Sequence, residues 1–148
     1  MGLLVRFCVV SVARTDVNTA SGTTKKKILI VEDDLNIRVG LRNSLAQEGY
    51  EVATAVNSFE AVMKMKEDVS IGIFDLDLPV VFGFAVSSWD LVGIFRDWQP
   101  NGSIIVVSTQ EGYDAVKAKH WRIADRLVKP ITPSCIKSLV KALDSHET

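Results

Sequence analysis

Glu32-Asp33-Asp34 ends one apolar run of the chain, and Asp75-Leu76-Asp77-Leu78-Pro79 ends another. If both runs are neighbouring strands of a parallel sheet, Glu32, Asp33 and Asp75 converge at one mouth. Carboxylates gathered in a confined place repel one another and cannot all stay ionised unless a cation neutralises them. Mg2+ suits such oxygen donors: it prefers octahedral oxygen coordination and keeps several waters, which leaves room for a phosphate oxygen. A carboxylate beside that metal, Asp75, can attack phosphorus and carry an aspartyl phosphate. Ser108 and Lys129 also follow apolar runs, and would supply a hydroxyl donor and a mobile point charge to the phosphoryl oxygens.

These residues reach one place only if strands and helices alternate so that the strands lie parallel. Ile28 to Val31, Ile71 to Phe74 and Ile104 to Val107 are short continuous apolar runs, the pattern of strands buried on both faces. Tyr50 to Ala55 has weaker strand character, and Arg126 to Val128 is a short fifth strand. Between them, Ile37, Leu41 and Leu45 mark an amphipathic first helix with Asp34 as its cap and Gly49 at its stop. Asn57 or Ser58 caps a second helix whose Phe59, Val62, Met63 and Met65 are read as core. A third helix-like stretch runs from Gly83 to Trp98, a fourth from Glu111 to His120, and a fifth begins after Thr132 with Pro133 at its first position. In an open parallel sheet, ligands bind beyond the carboxyl ends of the strands where the winding reverses, and every polar candidate falls there.

The chain has 148 residues, one domain's worth, with 47% hydrophobic residues, 24% charged residues and a net charge of -1. That balance gives no global basic field, so nucleic acid is not an expected partner. No apolar stretch approaches the length of a membrane span. Cys8 and Cys135 lack metal-ligand or redox spacing and are read as ordinary small apolar residues, which suits a cytoplasmic protein. Residues 1–24 are read as a flexible or dispensable extension, with a Thr-, Ser- and Gly-containing linker before Lys25-Lys26-Lys27, and residues 25–148 as the folded domain.

At these residues the chain resembles the receiver domain of two-component response regulators, over about Lys25 to Leu143. KILIVEDDLNIRVGLRNSL is similar to the family's first strand and helix, DLDLPVVFG to its Asp-x-x-x-Pro-x-x-x-Gly loop, VVST to its fourth strand and LVKPI to its Lys-Pro turn. The resemblance implies a flavodoxin-like (βα)5 fold, a doubly wound five-stranded parallel sheet of order 2-1-3-4-5. It further implies that Asp75 accepts the phosphoryl group, that Asp33 binds Mg2+ directly and Glu32 through water, and that the backbone carbonyl of Asp77 completes the protein's share. Ser108 and Lys129 would bind the phosphoryl group, with a cis Lys129-Pro130 bond. The implied donor is a sensor histidine kinase or a histidine phosphotransfer protein, and the output is a downstream protein partner. Such a chain is a phosphoacceptor switch that promotes only its own phosphorylation and dephosphorylation, and is not otherwise an enzyme.

Arg126 stands where this family often carries Tyr or Phe, and its long side chain is expected to keep its head group in solvent. The third helix is apolar nearly all round, which fits either a deeper groove or a partner surface, including a homodimer. Two other functions compete. One is a degenerate receiver that serves only as a binding module. The other is a haloacid-dehalogenase-type phosphatase, with Asp75 as nucleophile and Asp77 as general acid/base; that family places its remaining acidic pair after the lysine, whereas only Asp144 and Glu147 follow Lys129 here.

Overall fold

A parallel sheet buried on both faces organises the molecule, as the continuous apolar runs require. The structure, a computed structural model, describes residues 5–7, 26–109 and 111–145. Its strands are β1 (Val5–Phe7), β2 (Lys27–Val31), β3 (Glu51–Ala55), β4 (Ile71–Asp75), β5 (Ser103–Ser108) and β6 (Asp125–Val128). The helices are α1 (Leu35–Gln47), α2 (Ser58–Lys64), α3 (Ser88–Trp98), α4 (Ala115–His120) and α5 (Pro133–Ser145). The sheet order is β1-β6-β5-β4-β2-β3. Without β1, its strands follow the expected 2-1-3-4-5 winding of a flavodoxin-like fold. Among the described residues, no helix is long and apolar enough to cross a membrane.

Because side chains alternate across a strand, each central strand feeds two cores. Ile28 and Ile30 pack with Leu41, Leu45, Ile105 and Ile136 on the side of α1 and α5. Leu29 and Val31 pack with Phe74, Phe95 and Val106 on the side of α2, α3 and α4. The expected caps are in place: the Asp34 side chain accepts the Ile37 N–H, the Asn57 side chain accepts the Glu60 N–H, and the Thr132 hydroxyl accepts the Cys135 N–H. Gly49 ends α1 at a φ of 90°, a conformation that costs glycine little.

Several boundaries and burials differ from the sequence reading. The third helix starts at Ser88, not Gly83: Ser87 and Asp90 form a reciprocal capping box, and the segment before it turns through Gly83 at a φ of 78°. The fourth starts at Ala115, because the Asp114 carboxylate takes the N–H groups of Val116 and Lys117. Phe59 and Met63 are about half exposed, while Ala61 of α2 and Met65 just after it are buried, the latter as read from the sequence. Most of the apolar surface of α3 is taken up by a deep groove, with Trp98 at its end left exposed. Leu91, Val92 and Phe95 are fully buried, and Gly93 lets the Trp121 ring approach to where a Cβ would lie 2.8 Å from it.

Two further differences concern the N-terminal region. Val5–Phe7, from the segment read as an extension, forms β1 and pairs in parallel with β6, Val5 opposite Arg126 and Phe7 opposite Val128. The rest of that segment lies outside the described residues. Cys135 is not an ordinary apolar residue but is disulfide-bonded, and Cys8 lies outside the described residues. Periodicity could not foresee either feature, since three residues show no pattern and a lone Cys in a helix carries no local sign of a disulfide.

Arg96 closes the end of the sheet opposite the acidic residues. The residue is 8% exposed, and its guanidinium donates to the carbonyls of Trp121 (3.0 Å), Pro100 (3.1 Å), Gly102 (2.6 Å) and Arg122 (3.1 Å). One planar fork thereby satisfies the carbonyls that follow both α3 and α4. Arg96→Met, which keeps the stem and removes the donors, should lower stability by about 3 kcal/mol, because several buried carbonyls lose their partners together. Urea unfolding with an unchanged slope would read this directly. A loss below about 1 kcal/mol would show that the carbonyls find other donors.

Candidate functional site

The carboxyl ends of β2 and β4 are adjacent, with Val31 in register with Phe74, so the residues that follow them emerge side by side. Glu32, Asp33 and Asp75 each place a carboxylate oxygen within 4.8 Å of the others. The sequence reading of one acidic mouth therefore holds in space. Glu32 and Asp75 are buried, whereas Asp33 is exposed and faces the entrance.

Local geometry fixes each group. Glu32 accepts the Asp34 N–H at 3.0 Å, and the Arg38 guanidinium reaches back from α1 to the carbonyls of Glu32 (2.9 Å) and Asp33 (3.2 Å). That clasp holds the β2–α1 turn with its acidic side chains inward. Asp75 accepts the Asp77 N–H at 2.8 Å, an Asx turn that bends the chain away from β4 at once. Val107 and Ser108 of β5 lie on the other side of β4, and Lys129 follows β6 at a cis Lys129–Pro130 bond.

Lys129 is the cation of the site. Its ammonium lies 2.9 Å and 3.0 Å from the two oxygens of Asp75 and 3.2 Å from Asp77. Burial pulls its pKa down, but the hydrogen bonds and charges of Asp75 and Asp77 outweigh that and hold it above the usual lysine value. Glu32 moves the other way. Burial first, and then the neighbouring charge of Asp75, push its carboxyl up to about 8 from the ordinary 4.5, against the Asp34 N–H that favours the anion.

The residues present fit a divalent cation. The donors are all hard oxygens, gathered within 4.8 Å of one another at the end of the sheet. The Ser108 hydroxyl is fully buried and finds no hydrogen-bond partner among the described residues, an orphan donor at the same edge.

Two features escaped the sequence reading. The Asp77 side chain, expected to contribute only its backbone, accepts the Thr109 N–H at 3.0 Å in addition to binding Lys129. Arg126 does not reach solvent: it is 6% exposed, and its guanidinium carbon stands 3.9 Å from the centre of the Tyr113 ring. The cue was an aromatic five positions after Ser108, too far along a loop to be paired with a strand residue by spacing alone.

The response regulator receiver domain family matches residues 28–141. The chain is 35% identical over 113 residues to the chemotaxis protein CheY of Thermotoga maritima, covering 74% of this chain and 89% of that one. Among solved structures, it resembles a CheY-like receiver domain protein from Methanospirillum hungatei JF-1, with a TM-score of 0.69, 26% identity and coverage of 84% and 98%. It also resembles the response regulator TrrA of Thermotoga maritima in complex with Mg(2+)-BeF, with a TM-score of 0.65, 28% identity and coverage of 80% and 98%. The chain spans about half the length of several transcriptional regulatory proteins that it matches. With an acidic mouth of Glu32, Asp33 and Asp75 closed by Lys129 on this sheet, the chain belongs to the response regulator receiver domain family, whose general function is phosphorylation-activated signalling.

Proposed function

We propose that Asp75 is the phosphoacceptor of an Mg2+-dependent switch within residues 25–148. The observation that carries the reading is the placement of its buried carboxylate between the Glu32 and Asp33 oxygens on one side and the Lys129 ammonium on the other. An Asp75 oxygen attacks phosphorus, the new O–P bond forms, and the N–P bond of a donor phosphohistidine breaks, leaving the electron pair on the imidazole. Asp33 would hold Mg2+, with Asp75, the Asp77 carbonyl and, through water, Glu32 as the other protein donors. When bound, Mg2+ neutralises the phosphoryl oxygens. Lys129 pairs with those oxygens, and the Ser108 hydroxyl gains the acceptor it lacks.

The donor class is a sensor histidine kinase or a histidine phosphotransfer protein in the cytoplasm, and the output is a contact with a downstream protein. Arg38 and the Asp34 cap hold the acidic turn, so the chain supplies its own catalytic geometry and the partner supplies the phosphoryl group. The intact acidic set and the family match leave the degenerate-module and phosphatase readings unfavoured.

With Mg2+ and a small phosphodonor, intact mass should show one added phosphoryl group, lost on treatment with base, while Asp75→Asn should take up none. A parent chain that stays unmodified, or an Asn variant that is modified equally, would contradict the assignment.

Glu32 gives a second expectation for the metal-free chain. A carboxyl held at about 8 when folded, against 4.5 ordinarily, binds its proton more tightly in the native state. Its contribution is therefore fully present below the ordinary value and is lost as pH rises toward 8. The thermal midpoint of the chelated parent should fall across that window relative to Glu32→Gln, and Mg2+ should narrow the gap. Parallel curves for parent and variant would contradict this account of Glu32.

A further inference from the structure

We infer that Phe59, Met63, Val80 and Phe82 form a face on which a second copy of this chain docks. The inference does not depend on which residue accepts the phosphoryl group. The face is built from two segments that hold each other. Phe59 and Met63 stand one turn apart on α2, and both are about half exposed. The Phe59 ring meets Phe84 edge to face at 5.4 Å, and the Ser58 hydroxyl donates to the Val86 carbonyl at 3.0 Å. Those two contacts fasten the β4–α3 loop to α2.

The loop has a fixed shape of its own. Val81 and Phe84 form a bridge, closed by the Phe84 N–H on the Val81 carbonyl at 3.0 Å, and Gly83 supplies the positive φ that the turn requires. Phe82 sits at the tip of that turn, fully exposed, and Val80 before it is 64% exposed. A ring held out in this way adds nothing to the core, so its burial is left for another molecule. A free aromatic side chain presents about 200 Å2, and at these exposures the four side chains together offer about 500 Å2 in each copy. Two such faces bury about 1,000 Å2, the lower end of specific interfaces and the size of weak, reversible ones.

Charge decides that the occupant is a second copy. In a two-fold interface each patch meets itself, so an unbalanced charge within it meets its own like. On this face the charged side chains between the apolar ones are engaged inside the chain: Glu60 accepts the Val56 N–H at 3.0 Å, and Lys64 donates to the Thr54 carbonyl. The exposed apolar residues of α1 and α4 do not meet that condition. Leu35 and Ile37 stand beside exposed Asp33 and Asp34, and Val116 stands beside exposed Lys117 and Lys119. Lys64 also takes a backbone acceptor of β3, the last strand of the sheet, so the copies meet through side chains and not by extending the sheet. Phe82 of one copy then lies against Phe59 and Met63 of the other, and the reverse.

Sedimentation equilibrium of the full chain, from micromolar to millimolar concentration, should show a reversible monomer–dimer equilibrium. Added NaCl should not weaken it, since uncharged surface is what becomes buried. Phe82→Ser should weaken dimerisation at least about tenfold while leaving the thermal midpoint of the monomer unchanged. Met63→Lys should do the same by setting like charges against one another across the two-fold contact. Val116→Ser should associate as the parent does. A parent that stays monomeric throughout, a Phe82→Ser variant that dimerises as the parent does, or a dimer that salt or Val116→Ser abolishes would overturn the inference.

Discussion

The molecule is arranged around an electrostatic conflict at the carboxyl edge of its sheet. Glu32, Asp33 and Asp75 are forced within 4.8 Å of one another because their strands are adjacent and end together. Water would separate such charges, and a rigid parallel sheet does not allow it. The conflict is relieved in part by Lys129, delivered from the far side of β5 by the turn after β6. Glu32, buried and beside the charge of Asp75, keeps its proton above the ordinary carboxyl range. A site built this way responds strongly to any added cation or anion. That responsiveness is what a phosphorylation switch needs, and it follows from the topology before any partner is considered.

The sheet, its winding and the acidic mouth were legible because they rest on short-range rules. Apolar runs of four or five residues, each followed by a polar residue, repeat along the chain, and the parallel winding gathers those polar residues at one edge. The caps at Asp34, Asn57 and Thr132 were legible for the same reason, since each acts within three residues. What the sequence concealed depends on contacts between distant segments. Nothing local marks Arg96 as the donor to carbonyls beyond two helices, nor Arg126 as the partner of Tyr113. The start of α3 was misplaced because Phe84, Ala85 and Val86 continue the apolar pattern. The capping box of Ser87 and Asp90, which is a local signal, outweighs that continuity.

The apolar breadth of α3 illustrates how burial can be misread from composition. A helix on the surface of a sheet needs one apolar stripe, and excess invites the idea of a partner. Here Gly93 removes a side chain from the helix face and admits the Trp121 ring, so α3 is packed from the sheet and from the end of α4 at once. Phe74 and Phe95 meet edge to face beneath it at 5.3 Å. Most of the excess is absorbed within the fold; Trp98 at the helix end stays exposed, though less so than Phe82 and Val80 on the preceding loop.

The short strand β1 changes what kind of border the sheet presents. With Val5–Phe7 opposite Arg126 to Val128, the strand that carries Arg126 has a neighbour on each side and is no longer a margin of the sheet. The margin passes to a ribbon of three residues. A long bare margin is a template on which another chain can lay its own backbone, and a very short one is a recognised way of denying that template. Val5–Phe7 therefore act as a selvedge: they finish the cloth at the side where it would otherwise fray into its neighbours.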